Sequence, residues 1–190
     1  GGTASLIIDG GTLNAIEGSV TATGRGSGQN PGGGPITGDL AIAQSLAGGS
    51  GVGGAASVDI LGGTADFAQF LLTDASGRGG NGYITSDIFT APPAVAGAGG
   101  AGVGGFASLT IDSGQLTSPV VDLRTNGRGG IGGDFWGINA GDAGAGGSGT
   151  GGASSFSAAQ DIFFIDALTL SSVGGGGRGG VSADPSIDGS

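Results

Sequence analysis

The chain contains no cysteine, histidine, methionine or lysine, and its five cations are all arginine. Without Cys or His it cannot build a structural zinc site, a thiol nucleophile or a Ser-His-Asp triad, which leaves oxygen-ligated ions such as calcium as the metals open to it. The lack of thiols fits an extracellular protein as well as a cytosolic one and so fixes no compartment. Aromatic residues are sparse, with one Trp, one Tyr and eight Phe in 190 residues. The longest apolar run is Ile162–Ile165, far short of the ~20 residues of a membrane-spanning helix, so no membrane insertion is expected. Acidic groups outnumber basic ones by fifteen to five, and the net charge of −10 argues against nucleic acid or an anionic membrane surface as a partner. No charged leader or cleavage signal is visible, and the sequence opens in mid-pattern on Gly1-Gly2-Thr3. It reads as a single repetitive segment, 1–190, of a longer chain.

What is present is glycine, at 50 residues. Glycine loses the most backbone entropy on ordering, which excludes a helical bundle and suggests low complexity unless a period organises it. A period exists. Four similar cores open on Ser5, Ser57, Ser108 and Ser155, spaced by 52, 51 and 47 residues, and the copies span approximately 1–52, 53–103, 104–150 and 151–190. Three of the glycine-rich joints end alike, at 48–54, 99–105 and 146–152, and each core closes on Gly-Arg-Gly. Repeats of this length cannot bury their apolar faces alone, so neighbouring copies must stack.

Within the cores the apolar residues alternate: Leu6 with Ile8, Val58 with Ile60, Leu109 with Ile111, and in the fourth copy Phe156 with Ala158. Period two is the signature of a half-buried strand. Two further apolar clusters follow in each core, one after an Asp/Gly turn and one before Gly-Arg-Gly, which predicts three short strands per core. The resulting fold class is all-β, a parallel β-solenoid of about four ~50-residue repeats in which Leu6, Val58, Leu109 and Phe156 form one ladder. The joints carry apolar residues of their own, such as Tyr83-Ile84 and Phe135-Trp136. Each joint is therefore either a long glycine-rich insertion in a single coil or a second coil. Arg25, Arg78, Arg128 and Arg178 recur once per repeat, and one coil per repeat would stack them about 4.8 Å apart. Two coils double that distance to roughly the Debye length. The spacing thus predicts two coils per repeat, with polyproline-II-like packing as the alternative for stretches such as Gly97–Gly105.

The motifs of the third core, Ala-Ser-Leu-Thr-Ile-Asp at 107–112 and Val-Val-Asp-Leu-Arg-Thr-Asn-Gly-Arg-Gly at 120–129, together with their siblings, resemble the glycine-rich repeats of giant bacterial surface proteins. These are the filamentous-haemagglutinin-like, two-partner-secretion exoproteins and related β-strand-repeat proteins. That resemblance implies a right-handed parallel β-helix, export to the extracellular side or cell surface of a Gram-negative bacterium, and a role in adhesion, biofilm or fibre formation.

Several residues are candidates for contact with another molecule. Arg25, Arg78, Arg128 and Arg178, each flanked by glycine, present uncovered guanidinium groups to a carboxylate or an acidic sugar, unless they pair within a coil to Asp39, Asp87, Asp134 or Asp184. Tyr83, Phe135 and Trp136 mediate bundling or carbohydrate stacking if exposed, and plug the joint if buried. The partners expected are other copies of the chain, end to end or side by side, with carbohydrate as the alternative. A calcium ladder needs an Asp after each glycine turn, and only Asp66 approaches that position. The glycine runs lack the following helix and Lys of a phosphate-binding loop. Asp residues scattered along the copies suggest no pair of catalytic carboxylates, and Thr12, Thr64, Gln115 and Ile162 hold no ice-binding rank. No cofactor and no enzymatic activity are expected.

Overall fold

The computed structural model describes residues 1–28, 47–83, 85–86, 96–136, 142–159 and 163–183. Among the described residues there is no helix, and every strand pair is parallel. The long strands are Thr3–Thr21 in the first copy and Ala55–Asp74 in the second. In the third and fourth copies the same path is divided into Phe106–Ile111 and Gln115–Arg124, and into Ala153–Ala158 and Phe163–Ser171.

Register follows the sequence repeat. Leu6 pairs with Val58, Val58 with Leu109, and Leu109 with Phe156. On the second run of each copy Val20 pairs with Thr73, Thr73 with Leu123, and Leu123 with Leu170. A turn between the two runs folds the chain back on itself, and Gly10, Gly11 and Gly63 take φ values of +88°, +76° and +77° there, a conformation open chiefly to glycine. Period two then points alternate side chains into the space between the runs. Val58, Ile60, Leu71, Leu109, Leu116 and Leu123 are fully buried in one continuous core. In the first copy Gly18 stands where later copies have Leu71 and Val121, and Phe67 packs against the vacated position. Three strands per core are corrected to two runs, because the second and third apolar clusters share one strand, as in Gln115–Arg124.

Beyond Ala22, Ala75 and Thr125 the same two layers continue as glycine-rich chain, and the period changes from two to three. Each copy contributes an outgoing segment to one layer, such as 126–136, and a returning segment to the other, such as 96–105. Within the returning layer the amides of Ala96, Gly99 and Gly102 donate to the carbonyls of Asp142, Ala145 and Ser148 in the next copy, at 2.8–2.9 Å. Across the layers Gly97 and Gly100 donate to Tyr83 and Gly80, while Ala98 and Ala101 face outward. One residue in three bonds along the layer, one bonds across it and one faces solvent, the threefold repeat of polyproline-II chain. The layers approach so closely that a Cβ on Gly129 would lie 2.0 Å from the carbonyl oxygen of Gly147. Glycine is required there by proximity, since Gly129 is not among the positive-φ residues. A run such as 115–136 extends about 70 Å at 3.1–3.3 Å per residue, so each copy is a wide, thin lamina.

The two-coil expectation is corrected. Equivalent residues of successive copies are direct ladder partners both in the core and in the glycine half, where Gly51 pairs with Gly102 and Gly102 with Gly149. One ladder step holds one repeat. The repulsion that argued otherwise is small: two unit charges about 5 Å apart in water cost only about 1 kcal/mol, less if exposed side chains splay. The polyproline-type packing considered for Gly97–Gly105 is what the glycine half adopts.

Candidate functional site

Where the core gives way to glycine, Gly24, Gly77, Gly127 and Gly174 form one ladder, and the next position holds Arg25, Arg78, Arg128 and Gly175. The glycines face inward against the opposite layer; a Cβ on Gly77 would meet the Val103 carbonyl oxygen at 1.9 Å. The following residue is thereby turned outward, and the three arginines are exposed. Their guanidinium groups make no hydrogen bond or ion pair with any described residue.

Arg178 is not in this column. The Gly132 amide donates to the Arg178 carbonyl at 2.9 Å, which sets Arg178 beside Ile131, in the row that also holds Asn81. The core fixes Leu170 against Leu123, and the extra glycines of the fourth copy carry its arginine one three-residue turn further. Matching the copies on Gly-Arg-Gly conceals that insertion; matching them on their apolar ladder exposes it.

The aromatic candidates divide. Phe135 is buried at 3% exposure, so it plugs the interior and offers no ring to a partner. Tyr83 is half-buried, and its carbonyl accepts the Gly97 amide at 3.3 Å. The backbone of Phe135–Trp136 pairs with Thr85–Ser86 and Ser182–Ala183, while the Trp136 side chain lies outside the described residues. So do Asp39, Asp87 and Asp184, three of the carboxylates considered as arginine partners. The fourth, Asp134, accepts the Val181 amide at 2.8 Å instead.

Asp66 is exposed and lines an open surface dent with Asn14, Ala15, Ile16 and Ala68. Among the described residues no three of Asp, Glu, His and Cys gather as metal ligands. The sole ion pair among them joins Arg124 to Asp122, with Nε donating to Oδ2 at 2.6 Å. That hydrogen bond is the main cause of a raised Arg124 pKa, opposed by slight burial and assisted by the charges of Asp122 and Asp74. The pairing was legible in principle: residues two apart in a strand share a face.

Sequence reasoning also missed a polar row at the junction of the two periods. Asn126 receives hydrogen bonds on Oδ1 from Ser171 Oγ and the Val173 amide, both at 2.9 Å, while its own amide donates to Ser76 Oγ at 3.2 Å. These side chains satisfy backbone groups where neither ladder pattern applies. No family model, curated protein or solved structure matches the chain. Among the described residues no helix is long and apolar enough to cross a membrane.

Proposed function

We propose that the chain is a right-handed parallel β-solenoid whose work is mechanical: a structural segment of an extracellular filament or surface protein of a Gram-negative bacterium, serving adhesion or a biofilm scaffold without catalysis. The observation that supports this reading is continuity. Every described copy is bonded to the next in direct register, and in the glycine half one chain of cross-layer bonds runs from Ser27 through Gly49, Gly80, Gly100, Gly130 and Gly147 to Gly177 at 2.8–2.9 Å. Extension along the stack therefore loads many backbone hydrogen bonds together, with no disulfide needed. Self-association is part of the proposal. Leu168 and Leu170 pair with the fully buried Val121 and Leu123 yet are 40% and 45% exposed, leaving inward-facing apolar surface for a further layer, of a continuing chain or of a second copy.

Fibre diffraction and sedimentation at rising concentration test the reading. A meridional reflection near 4.8 Å and concentration-dependent association are expected, without the reflection near 9.6 Å that two coils per repeat would add. A monodisperse monomer at high concentration overturns the filament reading.

A further inference from the structure

The described carboxylates are distributed so that none stacks on another. Asp59 lies between Ile7 and Thr110, Asp66 between Asn14 and Thr117, Asp74 between Thr21 and Arg124, and Asp122 between Leu72 and Thr169. In a ladder with one repeat per step, this is how a chain of net charge −10 avoids rows of like charge. Arginine does the opposite. Of the five cations, Arg124 is paired, and three of the others stand directly above one another, exposed and with no side-chain partner among the described residues. Nothing in the fold requires this, since the position faces solvent and accepts Gly175 in the fourth copy.

From this contrast we infer that the Arg25–Arg78–Arg128 column is a binding site for a linear polysaccharide bearing one carboxylate per sugar, lying across the strands along the stacking direction. Each guanidinium offers a planar fork of donors that matches a carboxylate. The column repeats them about every 4.8 Å in a straight line. A second copy of the chain is a poorer occupant, because the described residues hold no matching carboxylate ladder. Duplex nucleic acid, with a charge every ~1.7 Å, meets repulsion from the acidic remainder of the protein. This goes beyond the mechanical reading and does not depend on assembly, so diffraction and binding can succeed or fail separately.

The test measures binding of the chain to polygalacturonate, neutral dextran and duplex DNA. The expected result is binding to polygalacturonate alone, with affinity falling about 100-fold between 50 and 500 mM salt if three contacts each contribute a slope of roughly 0.7. Replacing all three arginines (Arg25→Gln, Arg78→Gln, Arg128→Gln) is expected to weaken binding at least about tenfold at low salt, whereas Arg124→Gln leaves it within about twofold, as loss of charge-assisted contacts predicts. Equal binding to dextran, preference for DNA, or undiminished binding by the triple variant each overturns the inference. The comparison of polymers uses the unaltered chain and decides even if a variant folds poorly.

Discussion

Replacing Gly129 by alanine tests the close approach of the two glycine layers most directly. The added Cβ would lie 2.0 Å from the Gly147 carbonyl oxygen and 2.5 Å from its carbon, against 3.4 Å for ordinary contact. Both atoms are backbone, so no side chain can swing aside, and the layers must part by about 1.4 Å at this row. The bonds from the Gly130 amide to Gly100 and from the Gly147 amide to Gly130, each 2.9 Å, would then stretch beyond 4 Å and be lost. All three glycines are buried, so each broken bond strands groups that water cannot reach. At about 1–3 kcal/mol per bond the loss is about 2–6 kcal/mol, reduced by the ~0.4–1 kcal/mol that a Gly→Ala change gains by restricting the unfolded chain. Domains of ordinary stability have only about 5–15 kcal/mol in all. Gly175→Ala is the control: it occupies the arginine column, its Cβ would meet nothing within 4 Å, and it is expected to stabilise by about 0.4–1 kcal/mol. Urea unfolding followed by far-UV circular dichroism reads both. If Gly129→Ala unfolds at the same urea concentration as the parent, the layers are not in backbone contact and the account of the glycine half is wrong.

Thr73 is fully buried between Val20 and Leu123 with its hydroxyl unpaired, so Thr73→Val is expected to stabilise by about 1 kcal/mol, and a clear loss in urea unfolding would refute the placement. In the same column Leu123→Ala should cost about 2–5 kcal/mol and Leu170→Ala distinctly less, because Leu170 is 45% exposed; equal costs would mean that the fourth layer is already covered. Arg124→Ala should cost no more than about 1 kcal/mol despite its raised pKa, since its side chain is 48% exposed, and a larger loss in the same assay would show that its bond to Asp122 organises the strand.

The fold class was legible because it rests on alternation that any stretch of ten residues displays. Leu6, Val58, Leu109 and Phe156 could be matched by eye, and their spacings of 52, 51 and 47 are the offsets of the ladder itself. The number of coils was misread because an electrostatic term was allowed to decide it. Repulsion between exposed arginines is worth about 1 kcal/mol in water, while each ladder step carries dozens of residues' backbone bonds. Glycine also defeats pattern reading: a run such as Gly174–Gly177 has no side chains by which to align it, so the displacement of Arg178 becomes visible only through the core residues preceding it. Phe135 shows the same limit. It stands beside Trp136 in the sequence with nothing to mark its ring for burial, and its place is set by backbone pairing to Thr85 and Ser182 of the adjacent copies.

The change from period two to period three explains how a chain with so little hydrophobic material holds an extended shape. In the core half, side chains separate the layers as they do between any packed sheets, by about 10 Å, and burial of Val58, Leu109 and Leu123 supplies the cohesion. In the glycine half no side chain intervenes, and backbone amides bond in two directions, to the next copy and to the opposite layer. Hydrogen bonding there replaces a core, at the expense of glycine's large ordering entropy. Such packing forbids side chains at two positions in three and leaves the third free. Away from the buried Ala96 and Phe135, sequence variety in the glycine half is accordingly concentrated at outward positions, with Arg78, Asn81, Arg128 and Ile131 on one face and Ala98, Ala101, Ala145 and Ser148 on the other. Whatever this half of the molecule recognises must be read through those positions, and the stacked arginines are where the chain has placed its charge.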